Sequence, residues 1–229
     1  MKKVTIVVML IGITMMSYAQ ETSKSNGLPT KNTNIYLGLQ ANQLIKELFN
    51  LSGSGTAANN PYLISLGINK ASSGWGANIG IGITVNQFEN DDDTDFRKTI
   101  SNAFNFRVGL EKKWTIGNRL GASVGMDALF VKRKSETESE FSGNGFTSST
   151  KTTTNSIGWG IGPRVALNFS ITDRIILGTE STYYFRSTKS DNTFKQEDNN
   201  GFNEESESTF TSQSFNLNSP VVLFLIYKF

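Results

Sequence analysis

Gly74 to Asn86 reads GWGANIGIGITVN, and its alternation decides the fold. Trp75, Ala77, Ile79, Ile81, Ile83 and Val85 fall on one face, whereas Gly74, Gly76, Asn78, Gly80, Gly82, Thr84 and Asn86 fall on the other. A period of two held over this whole stretch is a β-strand with one apolar side. It is longer than the usual strand of about five or six residues. It matches the roughly 9–11 tilted residues that cross a bilayer as one stave of a barrel. Gly and Asn make a poor protein core, so the apolar face must look outward at something oily. That inverted polarity predicts an all-β, closed transmembrane β-barrel.

The N-terminal residues point the same way. Lys2 and Lys3 precede the apolar run Val4–Met16, and Ser17-Tyr18-Ala19 follows it. This is the order of a secretory signal peptide, with cleavage expected after Ala19. The run is shorter than the roughly 20 residues of a spanning helix. Residues 1–19 are therefore expected to be a signal peptide, residues 20–33 a flexible periplasmic leader, and residues 34–229 the barrel domain. Removing Lys2 and Lys3 leaves 20 basic residues against 20 acidic ones, which argues against a nucleic-acid partner. With no cysteine there is no disulfide framework and no thiolate metal site.

Outward from the opening stretch, seven more segments alternate. The first begins near Asn34, with Ile35, Leu37 and Leu39 outward. Leu44 to Phe49 reads either as its continuation or as a helical turn, and 51–60 as a loop. The second sets Tyr62, Ile64, Leu66 and Ile68 outward. The fourth has Phe104, Phe106, Val108 and Leu110 outward, and the fifth Leu120 to Phe130 at every second place. The sixth carries Ile157, Trp159 and Ile161, the seventh Leu177, Tyr183 and Phe185, and the last Val221 to Phe229. Turns are short after strands two, four and six. Long polar loops are expected at 88–99, 132–154 and 187–212. An up-and-down meander of eight antiparallel strands results, with its short turns in the periplasm. Trp75, Trp114, Tyr227 and Phe229 then fall at the periplasmic rim, while Trp159, Tyr183 and Phe185 fall at the outer rim, as two interfacial girdles.

The terminal SPVVLFLIYKF, apolar at every second place back from Phe229, resembles the C-terminal signature of Gram-negative outer-membrane barrels. The strand count is similar to that of small barrels of the OmpA and OmpX type and of uncharacterised outer-membrane β-barrel proteins. The resemblance implies location in the cell outer membrane, contact with lipid and lipopolysaccharide, and recognition of Phe229 by the barrel-assembly machinery. It brings no catalytic residue with it.

Histidine is absent, so Ser/His/Asp chemistry has no imidazole to move its proton. No enzymatic role and no cofactor are expected. GWGANIGIG and GWGIG lie within strands rather than opening helices, so they line a narrow barrel and do not bind phosphate. Asp91-Asp92-Asp93-Thr94-Asp95 lacks the EF-hand glycine and final glutamate and reads as a solvated acidic loop. Lys132-Arg133-Lys134 stands just above the outer rim, within reach of anionic head groups.

Five charged residues fall at inward positions in mid-strand: Arg107, Glu111, Asp127, Arg164 and Glu180. A hairpin centred on Gly117 sets Arg107 opposite Asp127, and one centred on Thr172 sets Arg164 opposite Glu180. Glu111 is then a spare acceptor for either arginine. An ion-pair cluster closing the lumen is expected, with a structural or surface-interaction role carried by the long loops. The alternative is a narrow pore for small solutes. Eight strands leave an interior that side chains fill, which favours the first. The extracellular partner is not specified by any motif.

Overall fold

The computed structural model describes residues 33–41, 61–91, 95–143 and 146–229, with the side chains at 91, 143 and 218–222 left aside. The expected signal peptide, the leader up to residue 32 and the alternative readings of 44–49 and 51–60 lie outside these residues. Eight strands follow one another: β1 Thr33–Gln40, β2 Ile64–Lys70, β3 Trp75–Asp91, β4 Asp95–Thr115, β5 Leu120–Gly143, β6 Phe146–Ser170, β7 Ile175–Asp198 and β8 Asn203–Lys228. Each pairs antiparallel with the next, and β1 pairs with β8, so the sheet closes on itself as a meander.

The polarity is inverted, as the alternation requires. Arg107 is 1% exposed inside the barrel, whereas its strand neighbour Leu110, on the other face, is 65% exposed. On β6, Trp159 and Phe169 bracket the apolar face ten residues apart. That is roughly 33 Å of strand, or about 25 Å of height at the usual barrel tilt, the thickness of an outer-membrane apolar band. A closed sheet leaves no unpaired edge for lipid to desolvate. The molecule is an outer-membrane β-barrel.

Local chemistry explains the turns at one end. Gly74 adopts φ 71° and Gly117 φ 98°, left-handed values that a side chain resists. In the β6–β7 turn, Thr172 Oγ1 accepts hydrogen bonds from the backbone N–H groups of Arg174 (3.3 Å) and Ile175 (3.0 Å). At the opposite end, Asp198 Oδ1 accepts from the N–H groups of Asn200 and Phe202, both at 2.9 Å, beside Gly201 at φ 87°.

Two sequence expectations need correction. The segments expected as loops are largely strand: β3 and β4 take up most of 88–99, β5 and β6 nearly all of 132–154, and β7 and β8 most of 187–212. Their alternation is of hydroxyl with charge, as in Ser135-Glu136-Thr137-Glu138-Ser139-Glu140, which a hydropathy pattern does not register. Tyr62, expected outward, is 1% exposed inside the barrel. β2 begins only at Ile64, and Leu63 is held by its N–H donating to Ile81 O at 2.9 Å, so the two-residue period does not extend back to Tyr62.

Candidate functional site

The lumen is built from inward positions of β3 to β7. Arg107 on β4 reaches across to Glu180 on β7 in a two-pronged contact, Nη1 to Oε1 at 2.7 Å and Nη2 to Oε2 at 3.2 Å. Arg164 on β6 donates from Nε to Asp127 Oδ2 at 3.0 Å and from Nη2 to Glu111 Oε2 at 2.8 Å. Longer contacts link the two sets. Arg107 Nε lies 3.8 Å from Asp127 Oδ2, and Arg164 Nη1 lies 3.8 Å from Glu180 Oε2. Lys113 Nζ stands 3.0 Å from Glu111 Oε1 and over the ring of Tyr36 at 3.8 Å. Three positive side chains therefore meet three negative ones, and apart from Lys113 all are buried.

All five charges expected inward share this cluster and Glu111 accepts from an arginine, but the two expected pairs survive only as the 3.8 Å contacts while the shortest bonds go to other partners. Arg107 stands opposite Leu129 in the ladder and Asp127 opposite Gly109; Arg164 stands opposite Thr182 and Glu180 opposite Ala166. Both hairpins turn one residue later than the assumed centres, so each supposed pair is displaced by two positions. Arg107 then reaches across the lumen to Glu180 on β7, whereas Arg164 finds Asp127 diagonally on the neighbouring β5 and Glu111 on its own rung, across Gly125. Glu111 serves Arg164 and Lys113.

Sequence reasoning missed the aromatic half of the site. Tyr62, Leu129 and Tyr184 form a buried cluster. The Arg107 guanidinium lies over the Tyr62 ring, 4.4 Å from its centroid, a cation–π contact in a water-poor setting. Tyr184 donates its hydroxyl to Asp127 Oδ2 at 2.7 Å. Leu129 and Tyr184 were legible, since they share the parity of Asp127 and Glu180. Tyr62 was not. Its place depends on β3, where a Cβ at Gly80 would press on the Tyr62 ring and one at Gly82 would strike the Pro61 carbonyl.

On the side of the short turns lies a cavity of about 500 Å³. Arg107, Glu111, Arg164 and Glu180 line its inner end, and Asn118, Arg119 and Asp173 of the turns line its mouth. Asn78, 6% exposed, presents both amide atoms there with no hydrogen-bond partner among the described residues.

The aromatic positions on the lipid face are also placed. Trp75 faces outward at the short-turn end, with Lys112 Nζ 5.5 Å from its ring centroid, and Trp114 is exposed at the same end. Tyr227 and Phe229 pack edge to face at 5.0 Å, and the Phe229 N–H donates to Ile35 O at 3.0 Å. At the other end, Phe106, Phe130 and Trp159 stand side by side on neighbouring strands. Phe185 lies 6.0 Å from Trp159 and 5.2 Å from Phe215, and Tyr183 stacks on Phe215 at 5.8 Å. Phe215, within a segment expected as strand only near its end, joins this row.

Beyond that row the sheet continues. β6 starts at Phe146, thirteen residues before Trp159, roughly 40 Å of strand. β1 and β2 stop short, so the upper sheet consists of β3 to β8 among the described residues. Its outer face carries exposed ion pairs, Lys151 to Glu138 at 2.6 Å and Lys195 to Glu205 at 2.8 Å. Its inner face carries hydroxyls that bond one another, Thr99 to Thr137 at 3.2 Å and Ser156 to Ser190 at 2.8 Å.

No protein-family model matches the chain, and no curated protein does. Solved structures similar to it include two that match over 86% of its length. One is a crystal structure of a major outer membrane protein from Thermus thermophilus, 12% identical, with a TM-score of 0.38 and 98% of that chain covered. The other is LpxR from Salmonella typhimurium, 10% identical, with a TM-score of 0.25 and 99% of that chain covered.

Proposed function

We propose that this barrel is a non-enzymatic surface-interaction protein, anchored by a closed lumen and presenting its six-stranded extracellular sheet to an external partner. The carrying observation is that β3 to β8 run on as one paired sheet well beyond the outer aromatic row. Floppy loops need no such ladder; a shaped surface does. Three positive and three negative side chains, backed by Tyr62, Leu129 and Tyr184, fill the lumen where a pore would need water. Breaking such a buried set leaves charges uncompensated, so it favours one closed arrangement over a narrow solute pore.

The test has two arms. An epitope inserted between Asn199 and Asn200 is expected to label intact cells, and labelling only after permeabilisation would overturn the surface role. Purified protein in a planar bilayer is expected to show no steady conductance. Steady single-channel current would overturn the closed lumen and favour the pore.

A further inference from the structure

The two faces of the extracellular sheet are chemically different, although they belong to the same strands. One rung of the inner face runs Phe88, Thr99, Thr137, Thr152, Phe194, Ser206 across six strands, each residue in register with the next. It is a row of hydroxyls flanked by two aromatic rings and holding no charge. On the next rung towards the membrane, Asn192 lies beside Thr154 and Ser208, and its buried Oδ1 has no hydrogen-bond partner among the described residues. The lysines and glutamates of the outer-face ion pairs, on the same strands, point the other way.

Near the tip this inner face opens into a pocket of about 380 Å³, within the range of small-ligand sites. Asp95, Phe141 and Ser148 form one rung of it, and Asn90, Arg97, Ser139 and Thr150 the adjacent one. Phe141 has the strand parity of the luminal Asp127, yet its ring is 46% exposed. Around that ring stand an amide, three hydroxyls, the carboxylates of Asp95 and Glu140, the Arg97 guanidinium and a second ring, Phe96. These groups both donate and accept hydrogen bonds and carry no excess of positive charge.

We infer that this pocket and the hydroxyl row leading from it bind a neutral glycan, with one sugar ring lying on Phe141. Sugar hydroxyls both donate and accept, matching Asn90, Ser139, Thr150 and the Asp95–Arg97 couple. The C–H face of a pyranose needs a flat apolar partner, which Phe141 supplies. A polyanion is disfavoured by Asp95 and Glu140 within the pocket. An apolar peptide finds two rings, Phe96 and Phe141, set among polar groups where it needs a continuous apolar groove. The successive rungs extend the contact to further sugar units along the trough. The inference rests on the proposed surface role and names its partner class.

The experiment probes an array of neutral and sulfated oligosaccharides and apolar peptides with the full-length protein in lipid nanodiscs, folding of each variant being checked by heat-modifiable gel migration. Neutral glycans are expected to bind. Phe141→Ala is expected to weaken that binding about tenfold or more, as removal of a central aromatic anchor does. Phe141→Trp is expected to retain it, and Lys151→Ala on the outer face to leave it unchanged. Four results would overturn the inference: no glycan bound, binding restricted to sulfated probes, binding indifferent to Phe141→Ala, or capture of peptides in place of glycans. If the tag at the Asn199–Gly201 tip labels intact cells while the array stays blank, the glycan falls and the surface role stands. If the tag stays hidden, the surface role fails whatever the array shows.

Discussion

The membrane-spanning half of this sheet and the half beyond the upper aromatic row share strands and hydrogen-bond ladders but solve opposite solvation problems. Below the outer aromatic row, lipid bathes the outside, so charge is driven inward and must be paired there. Arg107, Arg164 and Lys113 meet Glu180, Asp127 and Glu111 in the lumen. Above the row, water bathes both faces, and charge moves to the outside. There Lys151, Glu138, Lys195 and Glu205 form exposed pairs. The inward face there keeps mainly hydroxyls and rings, with Asp95 and Arg97 near the tip. A single β-strand therefore changes the meaning of "inward" as it crosses the membrane boundary.

Substitutions matched across that boundary sharpen the contrast. The largest effect is expected from Arg164→Leu, which removes a buried cation held by Asp127 and Glu111. Loss of one partner from a buried ionic set costs about 3–5 kcal/mol. Urea titration of the bilayer-refolded protein measures it, and a change near zero would show that water already screens these charges. Next is Val124→Arg on the lipid face, expected to cost about 2–4 kcal/mol. Thr153→Arg, on the outward face above the aromatic row, is expected to leave the same titration unmoved. Equal costs at both sites would erase the boundary.

A smaller effect tests how the lumen is packed. Gly82→Val drives its side chain into the Pro61 carbonyl and is expected to cost about 1–3 kcal/mol by overpacking. Tyrosine fluorescence of the variant should then report displacement of Tyr62. The smallest effect is Lys195→Ala, which breaks a half-exposed pair at 2.8 Å. Such surface pairs contribute less than about 1 kcal/mol. A loss as large as that of Arg164→Leu would mean that the upper sheet, too, is shielded from water.

By itself the sequence determined the strand number, the closure, the facing of the alternating apolar segments from Trp75 to Phe169, and five of the charges in the luminal cluster, Lys113 excepted. All of these follow from a period of two combined with one apolar face, a signal that each residue carries locally. Where both faces are polar, as in Ser135 to Glu140, the period persists but the hydropathy contrast vanishes. The upper sheet was therefore hidden in what looked like loops. Tertiary structure alone decided three things. It set the hairpin registers, because a one-residue change in a turn centre moves each cross-strand partner by two. It chose Glu180 for Arg107, because a flexible guanidinium on β4 reaches across the closed lumen to β7, and Asp127 for Arg164, because the β5–β6 register makes the two diagonal neighbours. It brought Tyr62 inside, because the space for its ring is made by Gly80 and Gly82 on another strand, and no local pattern around Tyr62 records that gap.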